Sequence, residues 1–115
     1  MYQNVYAEIA NESGSRARAR EKQALDSAIA KLVAARASGA STPEAFEATD
    51  LLRRLWTLLM SDLRNEENAL PAELRASLIS IGLWICREAD MIDRGDSANF
   101  DALIDVNQLI SDGLI

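Results

Sequence analysis

The sequence predicts an all-α fold, a single-domain helical bundle of about four main helices with an N-terminal arm. Apolar residues recur at helical spacing along most of the chain, and Ser/Thr/Asn, Pro and Gly punctuate it where helices start and stop. Alternating Val/Ile/Thr runs and Asn-Gly hairpin turns, which would mark strands, are absent. With 115 residues, 49% hydrophobic and 26% charged, the chain can enclose one modest core and has the composition of a folded protein. One domain over 1–115 is expected, with an arm at 1–14 and helices near 15–38, 42–64, 71–94 and 100–112.

The first helix follows Ser13-Gly14-Ser15 and ends at Ser38-Gly39, a helix-stop signal. Its apolar positions Ala17, Ala24, Leu25, Ala28, Ile29, Leu32 and Ala35 form one narrow face, and the alanines there would let a neighbouring helix come close. The second helix opens at Ser41-Thr42-Pro43-Glu44, with Ser41 as cap, Pro43 in the first turn and Glu44 completing a capping box. Ala48, Leu51, Leu52, Leu55, Leu58, Leu59 and Leu63 make its apolar stripe, opposite Glu47, Asp50, Arg53, Arg54, Thr57 and Ser61. Trp56 and Met60 fall at the stripe's edge, placed to close a seam or to face a partner.

After the polar break Arg64-Asn65-Glu66-Glu67-Asn68, Pro71 suits the first turn of a third helix that ends near Arg94-Gly95. Leu74, Leu78, Ile81, Ile85, Ala89 and Ile92 form one of its faces; Ile79, Leu83 and Cys86 form a second about 120–160° away. Two faces predict a helix in the middle of the bundle. Gly82, between them, would permit close approach of a neighbour. Trp84 and Met91 point in a third direction, shared with Ser77, Ser80, Arg87 and Glu88. Either a loop or the arm covers them, or they belong to a contact surface, where such residues are common.

Ser97-Ala98-Asn99 caps a fourth helix from Phe100, with Leu103, Val106, Ile110 and Leu114 on one side. In the arm, Tyr2, Val5, Tyr6 and Ile9 have the spacing of a helical face, but an isolated helix that short is marginal in water. The arm must therefore dock, on its own bundle or on another protein.

The residue inventory argues against catalysis. Without histidine the chain lacks the usual general base and the commonest metal ligand. The lone Cys86 can build neither a zinc site nor an internal disulfide, and reads as a small packing residue. Five scattered glycines make no phosphate loop, and the late acidic residues lack EF-hand spacing. Neither an enzyme nor a cofactor or small-molecule site is expected. The amino terminus does not read as a secretory signal, and no run of about 18 apolar residues is present. A cytoplasmic protein with no membrane association is expected.

Charge is uneven within a net of −6. Residues 1–40 hold six Lys/Arg and four Asp/Glu (+2), residues 41–70 three and six (−3), and residues 71–115 three and eight (−5). The acidic end repels phosphate. Arg16, Arg18, Arg20 and Lys22 crowd the start of the first helix, where its dipole disfavours cations. They are either a solvated basic turn that meets the chain's own acidic half, or a contact for RNA or an acidic partner.

Several blocks carry a resemblance to a known family: the start Met1-Tyr2-Gln3-Asn4-Val5-Tyr6, LRRLW at 52–56, NALPAELRASLISIGLW at 68–84 and FDALIDVNQLISDGL at 100–114. Together they make the chain similar to the FlaF family of alphaproteobacterial flagellar biosynthesis regulators. Residues 15–50 match mainly in helical character, so no role is carried over there. The resemblance implies a non-catalytic protein that modulates flagellin synthesis and export during flagellum assembly, in opposition to the regulator FlbT, and it assigns no site residues. Flagellin or an FlbT-like protein is the expected partner, through a surface drawn from Trp84, Met91, Trp56, Tyr2 and Tyr6. Direct binding of flagellin messenger RNA through Arg16, Arg18, Arg20 and Lys22 is the alternative, and a homo-oligomer joined through Trp56 and Trp84 a third reading.

Overall fold

The computed structural model describes residues 2–113, and side chains from residue 16 onward. Four helices follow in order: α1 (Tyr2–Ser38), α2 (Pro43–Arg64), α3 (Ala72–Asp93) and α4 (Phe100–Asp112). The last three begin and end within two residues of the expected boundaries, because each terminus has its own local signal. Thr42, rather than Ser41, caps α2: its hydroxyl oxygen accepts from the Ala45 amide at 3.2 Å. Ser41 instead takes a left-handed conformation (φ 65°) in the tight α1–α2 turn, beside Gly39 at φ 93°. Asn99 caps α4 by accepting from the Ala102 amide. At the end of α3, the Gly95 amide donates to the Ile92 carbonyl and the Asp96 amide to the Met91 carbonyl. These paired bonds, with Gly95 at φ 78°, form a Schellman stop.

α1 is continuous from Tyr2, so Ser13-Gly14-Ser15 lies inside a helix that it was expected to start. A mid-helix Gly costs only about 1 kcal/mol relative to Ala and serine less, so neither residue enforces a break. The side chains of Tyr2 and Tyr6, and with them the docking of the arm, lie outside the described residues.

α2 packs on both α1 and α3, and α4 packs on α1. α3 therefore rests chiefly on α2 and is not the middle helix that its two apolar faces suggested. Of those faces, Ile85, Ala89 and Ile92 are buried, while Leu74 and Leu83 stay nearly half exposed. The core gathers Leu25, Ala28, Leu32 and Ala35 of α1, Ala45, Ala48, Leu52, Trp56 and Met60 of α2, Ile85 and Ile92 of α3, and Phe100 and Leu103 of α4.

Polar bonds fix the neighbours antiparallel. Arg36 pairs with Asp101 at one end of α1–α4. At the other end Lys22 Nζ donates to the Ser111 carbonyl (3.0 Å) and hydroxyl (3.2 Å), and the Ser111 hydroxyl donates to Asp26. Between α2 and α3, Arg53 and the Thr49 hydroxyl both donate to Asp93, while at the opposite end Arg75 reaches the Leu63 carbonyl.

The α2 stripe is rotated from the expected one. Trp56, 1% exposed, and Met60 lie in its centre, and Leu58, 70% exposed, faces out. Trp56 is thus a core residue and not a contact residue. Two distant positions set this rotation. Gly82 leaves room on α3 for Trp56 and Met60, and Asn107 on α4 offers Oδ1 to the indole Nε1–H at 2.7 Å.

Candidate functional site

The bundle is closed where α3 turns into α4 and opens towards the other end. Near the turn Ile92, Phe100 and Leu103 are buried, whereas farther along Val106 and Ile110 on α4 and Leu78 and Ile81 on α3 are only half-buried. The space between them is an apolar groove of about 570 Å³ lined by Ser80, Ile81, Trp84, Val106, Leu109 and Ile110. Leu109 forms its lip and is 72% exposed.

Ile110 also lines a second cavity of about 510 Å³ at the open end, floored by Leu25, Trp56, Leu59, Leu63 and Leu78 and edged by Arg18, Glu21, Asp62 and Glu67. The two cavities meet at Ile110, one beside the α2–α3 connection and the other at Trp84. Volumes of this size fall in the range of ligand pockets.

Burial pushes the Glu21 carboxyl above the usual carboxylate range, and nearby Asp62 raises it further against the pull of Arg18 and Arg20. A raised folded-state pKa means that the ionised side chain opposes folding once the pH exceeds that value. Below the unfolded value the group is protonated in both states and the penalty vanishes. Glu21→Gln should therefore raise the melting midpoint at pH 7 by a small amount, on the order of 1–2 °C for a partly solvated group. Thermal scans should show this advantage fading as the pH falls below about 4.

Of the residues singled out in the sequence, Trp84 is in the groove wall. Met91, two turns on, is half-buried and does not line it. The basic cluster is divided: Lys22 is spent on the α4 C-terminus, where a cation complements the helix dipole, and Arg18 edges the end cavity beside two carboxylates. Arg16 and Arg20 are exposed. Cys86 is half-buried against the core, and burial, with Asp90 near it, raises its thiol pKa above the ordinary value, partly offset by Arg53. Among the described residues no group of acidic or thiol side chains is placed to hold a metal, and no helix is long and apolar enough to cross a membrane.

The α4 wall of the groove was not foreseen: the sequence set Val106 and Ile110 on one apolar side with Leu103 and Leu114, without showing what that side faces. One signal was available. Phe100, Leu103, Ile104, Val106, Leu109 and Ile110 cover more of the helix circumference than one buried stripe needs.

The profile of a family described as flagellar protein FlaF matches residues 2–114. The chain belongs to the FlaF family. The resemblance of its separate blocks thus extends over essentially the whole chain, and the helical bundle described above is the fold of a FlaF-family member. No curated protein and no solved structure matches the chain.

Proposed function

We propose that this FlaF-family protein is a non-enzymatic regulator of flagellin synthesis and export during flagellum assembly, acting in the cytoplasm by holding flagellin or an FlbT-like partner against the α3–α4 groove. The observation that carries this reading is the groove itself. Trp84, Ile81, Val106, Leu109 and Ile110 present almost purely apolar surface to solvent on a chain that is otherwise well satisfied, with no unpaired buried side-chain polar atom among the described residues. Contiguous exposed apolar surface of this kind marks contact sites, and an amphipathic helix laid in a groove is the ordinary way to cover it.

Flagellin should be retained by the purified full-length protein in a pull-down, and the Trp84→Ser/Leu109→Ser double variant should lose most of that retention while keeping its far-UV circular dichroism. Unchanged retention would remove the groove from the function. An RNA-binding role predicts instead that flagellin message is retained at low salt and lost on neutralising Arg16, Arg18 and Arg20. The division of the basic cluster, with Lys22 bound to α4, weighs against it.

A further inference from the structure

We infer that the occupant of the α3–α4 groove is a single amphipathic helix of about four turns, with an apolar stripe flanked on both sides by Lys or Arg. This rests on the protein-contact reading above and adds the chemistry of the partner.

Length comes from the walls. Along α3 the apolar lining extends from Leu78, past Ile81, to Trp84, about 9 Å at 1.5 Å per residue. The end cavity prolongs it to Leu70 and Leu63. Adjoining apolar cavities that together span on the order of 20 Å, from Leu70 to Trp84, match a third helix of about 14 residues.

Charge comes from the rim. On α4, Asp105 and Asp112 bracket Leu109, and α4 carries no lysine or arginine at all. On α3, Glu88 continues the line of Ile81 and Trp84, and Glu73 stands at its start, with Arg87 as the opposing charge. In the end cavity Glu21, Asp62 and Glu67 face Arg18. An apolar floor between acidic edges fits a helix whose own edges are basic, and complementarity of this kind sets partner choice and encounter rate.

The same rim argues against other occupants. The chain's own residues 2–12, in this copy or a second one, bring Glu8 and Glu12 and no cation. A second copy also carries net −6. Nucleic acid and anionic lipid are repelled by carboxylates.

The test uses the full-length protein and two synthetic peptides of about 16 residues with an identical Leu/Ala stripe, one flanked by Lys and the other by Glu. Fluorescence anisotropy of the labelled peptides should show the Lys form bound at least about tenfold more tightly than the Glu form. Asp105→Asn/Asp112→Asn should shrink that ratio, and Trp84→Ser/Leu109→Ser should weaken the Lys peptide by about thirtyfold. Equal binding of both peptides overturns the inference, as does Lys-peptide binding that survives the Trp84/Leu109 change. If neither peptide binds while flagellin retention still depends on Trp84, the inference fails and the protein-contact reading stands. If the Lys peptide binds through the groove while flagellin retention ignores it, the reverse holds.

Discussion

Trp56→Ala should cost about 3–5 kcal/mol of unfolding free energy, the largest loss expected of any single truncation in this chain. The ring is 1% exposed and lies among all the helices of the core. Its loss removes the contact with Gly82 and Met60 and merges the floor of the end cavity with the interior. For a domain of this size, total stability is roughly 5–15 kcal/mol, so the variant should be visibly less folded at growth temperature. Urea unfolding followed by far-UV circular dichroism measures it, since the fluorescence signal is itself altered by the change. A loss under about 1 kcal/mol would put Trp56 outside the core.

The polar half of the same contact can be separated from the packing half. Asn107 is fully buried, accepts from Trp56 Nε1 through Oδ1, and donates through Nδ2 to the Leu103 carbonyl at 2.7 Å. Trp56→Phe keeps a ring but leaves Oδ1 unmatched in a dry core, and Asn107→Leu leaves the indole N–H unmatched. Each should carry about 1–3 kcal/mol of desolvation penalty. The double variant removes both orphaned groups and should cost less than the sum.

This pair also explains what the sequence could and could not reveal. Helix ends were legible because their causes are local: Pro43 in the first turn of α2, Pro71 just ahead of α3 at its N-cap and not in the first turn where it was expected, Asn99 as a cap, Gly39 and Gly95 at positive φ. The α1 face was legible too, since Leu25, Ala28, Ile29, Leu32 and Ala35 admit only one buried direction. The rotation of α2 was not. Leu51, Leu52, Leu55, Leu58 and Leu59 are nearly equivalent as apolar surface, so the choice falls to partners tens of residues away, Gly82 and Asn107. Asn107 and Ser111, fully buried in α4, look like surface residues until Trp56 and Lys22 are seen to satisfy them. For the candidate site, Trp84 stood out as an aromatic on a polar face. The opposite wall did not, because only the separation of α3 from α4 makes a groove wall of the apolar side that carries Val106 and Ile110.

Gly82→Ala should destabilise the protein by about 1–3 kcal/mol, lowering the melting midpoint by roughly 5–10 °C. Local reasoning predicts the opposite sign, since alanine is favoured over glycine in a helix interior by about 1 kcal/mol. Tertiary contact decides the matter. A methyl group at this position would meet Met60 Sδ at 2.8 Å, Met60 Cγ at 2.9 Å and Trp56 Cε3 at 2.9 Å, all inside van der Waals contact. A thioether can turn aside, but the indole cannot follow without giving up its bond to Asn107. The strain therefore moves either α3 off α2 or Trp56 out of its socket. Met60→Ala removes two of the three clashing atoms at the cost of a cavity, so Gly82→Ala/Met60→Ala should lose less than the sum of the singles, with coupling of about 1 kcal/mol or more. If Gly82→Ala instead raises the midpoint, α2 and α3 stand farther apart than described, and the rotation that buries Trp56 loses its cause.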